Sequence, residues 1–432
     1  MIGAGIHGGA MAARIAIQIA VHGAVQGAVH GVVHGASRVP ITQSRRGMAL
    51  DLITLERQLI AFDTVSRNSN LNMVDCLAEH MKGLGMAVEV YASADGAKAN
   101  VFGTLGAVDT PGLMLAGHMD VVPVEGQAWE TDPFTLTEAD GRFYGRGTAD
   151  MKSFIVLALL AAEAVRHRSL KLPLHLVFTY DEEVGCHGAA RLMDTLQREK
   201  HVMPKCAVVG EPTNFQVFRM HKGFNTAKVT VRGVEGHSSK PAKGANAIFR
   251  AAQVVTKLME VAGERQGVTS MEEFFEIPHT TLNVGMVNGG TAINIIPNHA
   301  EVVFEYRTMP GEDPDYVINQ LRGYVSEVLL PDFRKEQPNV DIRVEMTGQG
   351  KPMMTAVGAE IETIALELTG NPRSTAAPYY TEGALYNDAG IPTVICGPGD
   401  IDQAHLPNEY VTAGQLTKGV DFLGRLIERV CL

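Results

Sequence analysis

Short apolar runs alternate with helical stretches between residues 51 and 220, and this alternation leaves few folds open to the chain. Residues 113–116 and 174–178 predict buried strands, and residues 153–165 between them are almost wholly apolar and long enough for a buried helix. Residues 392–395, late in the chain, predict one more strand of this kind. Strands that alternate with helices indicate an α/β domain built on a mixed, largely parallel sheet with helices on both faces.

Residues 222–346 show a different order of predicted elements. A strand, a helix, two strands, a second helix and a last strand follow one another at residues 227–234, 245–261, 280–287, 301–307, 315–329 and 340–346. This β-α-β-β-α-β order is that of an α+β, ferredoxin-like module. We therefore expect a catalytic domain made of residues 48–221 and 347–432, interrupted by an inserted domain at 222–346.

Residues 1–47 differ from the rest of the chain in charge and patterning. They contain four arginines, no Asp or Glu, and a repeated His-Gly dipeptide among Ala, Val and Gly. We interpret the segment as a disordered extension, and the alternatives are a targeting peptide or a metal-binding histidine tract. A membrane span is disfavoured because polar residues and frequent glycines interrupt the apolar stretch.

The composition disfavours two classes of protein, those that bind nucleic acid and those held together by disulfides. Forty-eight acidic residues against 37 lysines and arginines give a net charge of −11, which disfavours nucleic acid as a partner because phosphates need a basic face. The five cysteines are scattered, without the spacing of a zinc ribbon or a redox pair. We therefore do not expect a disulfide framework. We expect a reducing, cytoplasmic location and no membrane partner.

Side chains of metal-ligand type follow directly after the predicted strands. They are His118 and Asp120 after the first strand, Asp181, Glu182 and Glu183 after the second, Glu211 after a third at 207–209, His405 after the last, and Asp150 just before the buried helix. In open α/β sheets the carboxyl ends of the strands face the ligand crevice, so these side chains should converge. Carboxylates brought together repel one another unless a cation balances them.

Histidine and carboxylate ligands without thiolate suit zinc, cobalt or manganese, and their number is sufficient for two ions. Each residue taken alone has an ordinary explanation: His118 as a core histidine, Glu182 and Glu183 as a solvated loop, Glu211 as the start of a turn. The repetition at successive strand ends favours a metal site, and the residues by themselves lead no further.

Four motifs at these positions resemble one known family, the co-catalytic zinc aminoacylase/carboxypeptidase family, or metallopeptidase family M20. The motifs are His118-x-Asp120, Gly147-Thr148-Ala149-Asp150-Met151-Lys152, Asp181-Glu182-Glu183-x-Gly185 and Gly210-Glu211-Pro212-Thr213. The resemblance runs from about Leu50 to the C-terminus. Three further motifs look most like the acetylornithine deacetylase branch of the family: His221-Lys222-Gly223, Gly236-His237-Ser238-Ser239 and the segment 397–405.

The resemblance implies a ligand set for two Zn²⁺ ions, for which Co²⁺ could substitute. Asp150 would bridge the two ions. His118 and Glu211 would complete the ligands of one ion, and Glu183 and His405 would complete those of the other.

The resemblance also implies three catalytic residues besides the ligands. Asp120 would hydrogen-bond the His118 imidazole and fix its tautomer. Glu182, next to a ligand but not itself one, would be the general base, and His237 of the inserted domain would reach into the active site of the partner subunit. The inserted domain would accordingly serve as a dimerisation or lid domain.

Four more residues match substrate-binding positions of the family. Asn294 and Arg307 would hold the carboxylate of the substrate, and Thr381 and Glu382 would lie on a loop that lines it. The implied protein is a cytoplasmic homodimer that binds a small N-acyl amino acid.

The implied reaction removes the acetyl group from N²-acetyl-L-ornithine in arginine biosynthesis. A related deacylase, such as succinyl-diaminopimelate desuccinylase, is the alternative. A non-catalytic protein is disfavoured by the complete ligand set. An exopeptidase is disfavoured by Glu211, where aminopeptidase relatives often carry Asp.

Overall fold

The computed structural model describes residues 51–432, so the extension predicted at 1–47 lies outside the described residues. The helices are α1 (Leu52–Ile60), α2 (Leu71–Gly83), α3 (Lys152–Val165), α4 (His187–Arg198), α5 (Ala247–Gln266), α6 (Tyr316–Tyr324), α7 (Leu330–Glu336), α8 (Glu360–Thr369), α9 (Gly383–Asp388) and α10 (Ala413–Cys431). A π-helical stretch, Val325–Leu329, joins α6 to α7.

Eighteen strands accompany these helices in the described part of the chain. They are β1 (Ala87–Ala92), β2 (Ala99–Leu105), β3 (Leu113–His118), β4 (Thr137–Ala139), β5 (Arg142–Tyr144), β6 (Leu174–Thr179), β7 (Cys206–Val209), β8 (Phe218–His221), β9 (Phe224–Arg232), β10 (Gly236–His237), β11 (Thr281–Gly289), β12 (Ile295–Ile296), β13 (His299–Arg307), β14 (Asp341–Gly350), β15 (Met353–Met354), β16 (Thr375–Ala377), β17 (Thr393–Ile395) and β18 (Tyr410–Thr412).

Among the described residues, the first of two compact units comprises 51–219, Thr355–Ser374 and Leu385–Leu432. Its main sheet has the order β1-β2-β6-β3-β7-β17-β8. The central pairs β6/β3, β3/β7 and β7/β17 are parallel, whereas β1/β2 and β2/β6 are antiparallel. The α/β class with a mixed sheet, predicted from the sequence, is confirmed.

Apolar residues explain why these strands and α3 form the core of the first unit. Strands β2, β3, β6, β7 and β17 are buried at every position, as expected for strands covered on both faces. Helix α3 is buried along nearly its whole length and packs against α1 and α10. A helix that is apolar all round needs such a site.

The second unit comprises Met220–Met354 and Thr375–Ala384. Its elements β9, α5, β11, β13, α6 and β14 follow the predicted β-α-β-β-α-β order, and its antiparallel sheet has the order β11-β13-β9-β14. Strands β9 and β13 alternate between buried and partly exposed residues, so their buried side chains form one apolar core with α5 and α6.

Thr375–Ala384 belong to the second unit by their contacts, whereas the predicted catalytic domain includes this stretch. The Lys222 N–H donates to the Ala377 carbonyl at 3.4 Å, which ties the stretch to the start of the second unit. The role of the insertion in dimerisation stays a prediction. None of the helices within residues 51–432 is long and apolar enough to cross a membrane.

A glycine after β7 allows a close approach that a larger residue would prevent. A β-carbon at Gly210 would overlap the buried ring of Phe154 on α3. We expect Gly210→Ala to lower the free energy of unfolding by about 1–3 kcal/mol, because overpacking forces the ring or the backbone to move. Urea unfolding of the purified protein measures this change.

Gly424→Ala is the matched control, since Gly424 lies within α10 and a β-carbon there meets no atom within 4 Å. This substitution should raise the stability by about 0.5–1 kcal/mol, the usual difference between Gly and Ala inside a helix. Equal effects of the two substitutions would contradict the proposed close contact.

Candidate metal centre

The five predicted ligands all lie in the first unit, at the ends of its core elements. His118 ends β3, Glu183 follows β6, Glu211 follows β7, Asp150 precedes α3 and His405 follows β17. The structure brings their side chains together because parallel strands end at the same edge of the sheet.

Asp150 lies between two histidines and offers one carboxylate oxygen to each. Its Oδ1 is 3.0 Å from His118 Nε2, and its Oδ2 is 3.3 Å from His405 Nε2. On one side His118 Nε2 is 4.0 Å from Glu211 Oε1, and on the other His405 Nε2 is 3.0 Å from Glu183 Oε2. Two donor groups, each with one histidine and one glutamate, therefore share Asp150.

Charge in this cluster is balanced by protons on the histidines. Burial opposes protonation of His118, but the hydrogen bond to Asp150 and nearby carboxylates hold its pKa well above the usual value. Hydrogen bonds to Asp150 and Glu183 raise the pKa of His405 to about 10. Although burial acts in the opposite direction, hydrogen bonds from the two histidines hold the pKa of Asp150 well below its ordinary value. A cation would supply the same positive charge.

The donor set fits a divalent ion. Ligand atoms of His118, Asp150 and Glu183 all lie within 4.8 Å of one another, and the five predicted ligands are imidazole nitrogens and carboxylate oxygens. Zinc and cobalt accept this combination in proteins. The individual ligand assignments stay predictions.

Asp120 contacts His118 differently from the sequence-based expectation. The His118 Nδ1–H donates to the backbone carbonyl of Asp120 at 2.9 Å, whereas the nearer carboxylate oxygen is 3.7 Å away. The carboxylate instead accepts the N–H groups of Glu182 at 3.0 Å and Glu183 at 3.3 Å and the Ser66 hydroxyl at 2.7 Å. Residue 120 thus fixes the tautomer through its backbone and holds the Glu182–Glu183 turn through its side chain.

Glu182, the predicted general base, is partly exposed and directly precedes the predicted ligand Glu183. Burial, with the charges of Glu183 and Asp150 adding to it, raises the pKa of Glu182 well above its ordinary value. The thiol of Cys186 lies 3.4 Å from Glu182 Oε1. Cys186 adopts a left-handed backbone with φ of 57° immediately before α4. No spacing rule in the sequence pointed to this cysteine.

Sequence reasoning also missed a buried ion pair next to the ligands. The Arg146 guanidinium donates to Glu409 at 2.6 Å, and both side chains are at most 1% exposed. Arg146 stands between two glycines just before Asp150. An arginine in a loop that enters the core needs an anionic partner, and this was the signal that could have revealed Glu409.

The other predicted site residues all belong to the second unit. His237 on β10 accepts the Ser239 N–H at 3.2 Å and lies 2.7 Å from the Ser239 hydroxyl; it is exposed. Asn294 is also exposed, and its carbonyl accepts the Ser238 N–H at 3.0 Å, so the structure brings Asn294 close to His237. Arg307 ends β13, pairs with Glu305 at 2.9 Å and is partly exposed.

Thr381 and Glu382 are buried in the second unit, at 1% and 0% exposure. The Thr381 hydroxyl accepts the Gly383 N–H at 3.1 Å at the start of α9, a local contact that accounts for a threonine here. The substrate-lining role of both residues stays a prediction.

Known proteins resemble this chain over most of its length. Residues 114–429 match Peptidase family M20/M25/M40. The acetylornithine deacetylase of Myxococcus xanthus is 36% identical, over 87% of this chain and 96% of that protein. The acetylornithine deacetylase of Proteus mirabilis is 33% identical, over 88% and 97%.

Solved structures show the same fold at lower identity. An M20 family metallo-carboxypeptidase from Sulfolobus solfataricus has a TM-score of 0.70 and 19% identity, covering 87% of this chain and 98% of that one. A dinuclear metal binding peptidase of the M20 family from Bacillus subtilis has a TM-score of 0.61 and 16% identity, covering 87% and 96%.

Fold, cluster and relatives together define a hydrolase of the metallopeptidase class. The chain belongs to peptidase family M20, as the four motifs predicted.

Protons should leave the cluster when an ion binds. His405, with a pKa of about 10, is protonated at neutral pH and must lose that proton to become a ligand. We therefore expect Zn²⁺ binding to release protons, and the affinity to fall by up to about tenfold per unit decrease in pH for each proton released. Calorimetric titration in two buffers of different ionisation enthalpy measures the number of protons. His405→Asn should release fewer, and equal heats in both buffers would contradict the prediction.

Proposed function

We propose that this protein is a dinuclear, zinc-dependent amidohydrolase that converts N²-acetyl-L-ornithine and water to L-ornithine and acetate. The observation that carries the reaction class is Asp150, shared between two histidine–glutamate groups with Glu182 beside them. The substrate is supported by relatives named acetylornithine deacetylase at 33–36% identity over nearly their full length.

Two Zn²⁺ ions, for which Co²⁺ could substitute, fit the proposed ligands. Asp150 would be shared, His118 and Glu211 would serve one ion, and Glu183 and His405 the other. Divalent ions in such sites polarise the amide carbonyl and lower the pKa of bound water.

Glu182 is proposed to move the proton during hydrolysis. The Glu182 carboxylate would accept a proton from the attacking water and hold it for the departing amine. Its position is set by the N–H···Asp120 hydrogen bond of 3.0 Å, which anchors the turn just after β6. A base held in place in this way loses little entropy when the substrate is aligned.

Arg307 and Asn294 are proposed to hold the α-carboxylate of the substrate, and His237 to stabilise the oxyanion across a subunit interface. Arg307 is partly exposed, and its guanidinium lies 4.8 Å from the centre of the Phe224 ring, which limits the directions in which it can point. An arginine so restrained can form a charge-assisted pair with a carboxylate.

A homodimer is part of the same proposal. β11 is an edge strand of the second unit's sheet, and its Met286 and Val287 are 56% and 55% exposed. Phe249 and Met259 of α5 are 69% and 67% exposed. Exposed apolar side chains on both β11 and α5 favour a protein interface on the second unit. Light scattering of the purified protein measures its mass, and the mass of a single chain would contradict the dimer.

The proposed cytoplasmic location and role in arginine biosynthesis rest on the same similarity to relatives as the proposed substrate.

Release of free amine from N²-acetyl-L-ornithine is the direct test. Protein loaded with Zn²⁺ or Co²⁺ should give kcat/KM of about 10⁴ M⁻¹s⁻¹ or more, and chelator-stripped protein should give none. The methyl ester of the same substrate is the matched control, because it lacks the charge that Arg307 would hold and should react far more slowly. Metal-loaded protein that leaves acetylornithine intact would show the substrate to be wrong, and succinyl-diaminopimelate would be assayed next.

Replacement of the proposed base should separate chemistry from binding. We expect Glu182→Gln to lower kcat by about 10²–10⁴-fold while the bound metal and KM change little, because the amide cannot accept the proton. Glu199→Gln, the same substitution at an exposed position of the first unit, should leave kcat unchanged. A loss of less than tenfold in Glu182→Gln would rule out the assignment.

A further inference from the structure

We propose that Glu409, acting through Arg146 and Gln127, is a positioning residue that holds Asp150 and His405 at the separation needed to bind metal. None of the three is a predicted ligand, and together they connect the two loops that carry Asp150 and His405. This inference rests on the ligand set of the proposed function and is independent of the substrate.

One carboxylate oxygen of Glu409 accepts several backbone N–H groups of the loop that carries Asp150. Its Oε1 accepts the N–H groups of Gly147 at 3.1 Å, Ala149 at 2.8 Å and Asp150 at 3.0 Å. Its own carbonyl accepts the N–H of Gly145 at 3.0 Å. Backbone N–H groups of nearby residues that converge on an anion form a nest, and here the anion is a side chain. The backbone of Asp150 is therefore held by a charge that makes no part of the donor cluster.

Gly147 makes this nest possible. Its φ is 90°, a left-handed value that other residues rarely adopt. A β-carbon there would also stand 3.0 Å from Val121 and from Lys152. The loop can turn its N–H groups toward Glu409 only because residue 147 has no side chain.

Arg146 connects Glu409 to the loop that carries His405. One nitrogen, Nη1, donates to Glu409 Oε2 at 2.6 Å, and the other, Nη2, donates to Gln127 Oε1 at 2.6 Å. Gln127 Nε2 in turn donates to the carbonyl of His405 at 2.8 Å. The chain of contacts thus begins at the N–H of Asp150 and ends at the carbonyl of His405.

His405 depends on this support more than the other ligands do. Its side chain is 53% exposed, so little packing restrains the ring. Its φ of 65° is unfavourable for a residue other than glycine and is kept only where contacts hold the backbone. The Gln127 hydrogen bond is such a contact, placed on the carbonyl of His405 itself.

Two variants distinguish positioning from simple stabilisation. Glu409→Gln removes the charge that gathers the Asp150 loop and pairs with Arg146. Gln127→Ala removes the contact to His405, together with the Gln127 contacts to Arg146 and Trp129, and leaves the hydrogen bonds of Glu409 to the Asp150 loop in place. Metal-stripped protein is titrated with Co²⁺, and the visible absorption of the bound ion reports the geometry of its ligands. Glu409→Gln should weaken both binding events by about 10- to 100-fold, the usual effect of changing a residue that orients a ligand. Gln127→Ala should weaken only the event that uses His405.

Glu362→Gln is the matched control. Glu362 is also buried, lies 3.6 Å from the Arg219 guanidinium and accepts the Gly358 N–H at 2.6 Å, but its partners carry no predicted ligand. This variant should keep the wild-type Co²⁺ spectrum and affinity even if its melting temperature falls as far as that of Glu409→Gln.

The outcomes separate this inference from the proposed function. Wild-type Co²⁺ affinity and spectrum in both Glu409→Gln and Gln127→Ala would overturn the inference and leave the metal centre standing. If Glu409→Gln does not fold, the partly exposed Gln127 decides the question alone. A wild-type protein that binds no ion would show the ligand set itself to be wrong, and the inference with it.

Discussion

Several carboxylates meet at one edge of a buried sheet, and the loops around them are arranged to balance their charge. Burial of several like charges is costly, and each carboxylate must find a positive or hydrogen-bonding partner. The chain meets this demand in two ways. Asp120 and Glu409 are satisfied by backbone N–H groups, a hydroxyl and an arginine, whereas Asp150 and Glu183 are paired with histidines. Asp120 and Glu409 hold the loops in place. The histidines paired with Asp150 and Glu183 can give up their protons when a cation binds.

The fold places these two kinds of carboxylate where the chemistry needs them. The parallel strands carry His118 and the residues after β6 and β7 to one edge, and the apolar α3 packs beneath them with Asp150 at its start. Buried anions accept N–H groups of two loops between these elements and so restrain them. A hydrolytic site benefits from such restraint, because ligands and base are already in place when the substrate arrives.

Much of this arrangement could be predicted from the sequence, and particular residues show why the rest could not. The apolar runs that precede His118, Glu183 and Glu211 are short and end in polar residues, so the strands and the candidate ligands after them can be predicted from the sequence. The atom of Asp120 that orients His118 could not be predicted, because its backbone carbonyl and its carboxylate both lie near the same ring and a motif does not distinguish them. Glu409 was missed because its partners are backbone N–H groups more than 250 residues away, to which no side-chain pattern points. Thr375–Ala384 were assigned to the catalytic domain because chain order, unlike contact, is all that a sequence displays.

The α/β class, the β-α-β-β-α-β order of the second unit and the M20 family can be inferred from the residues alone, because these depend on local periodicity and on short motifs. The folded chain was needed to show which oxygen of Asp150 faces which histidine, what orients His118, and that Arg146 and Glu409 connect the loops of Asp150 and His405. Hydrogen bonds select atoms by distance and direction within about 3 Å. Such selection exists only after segments far apart in the chain have packed together.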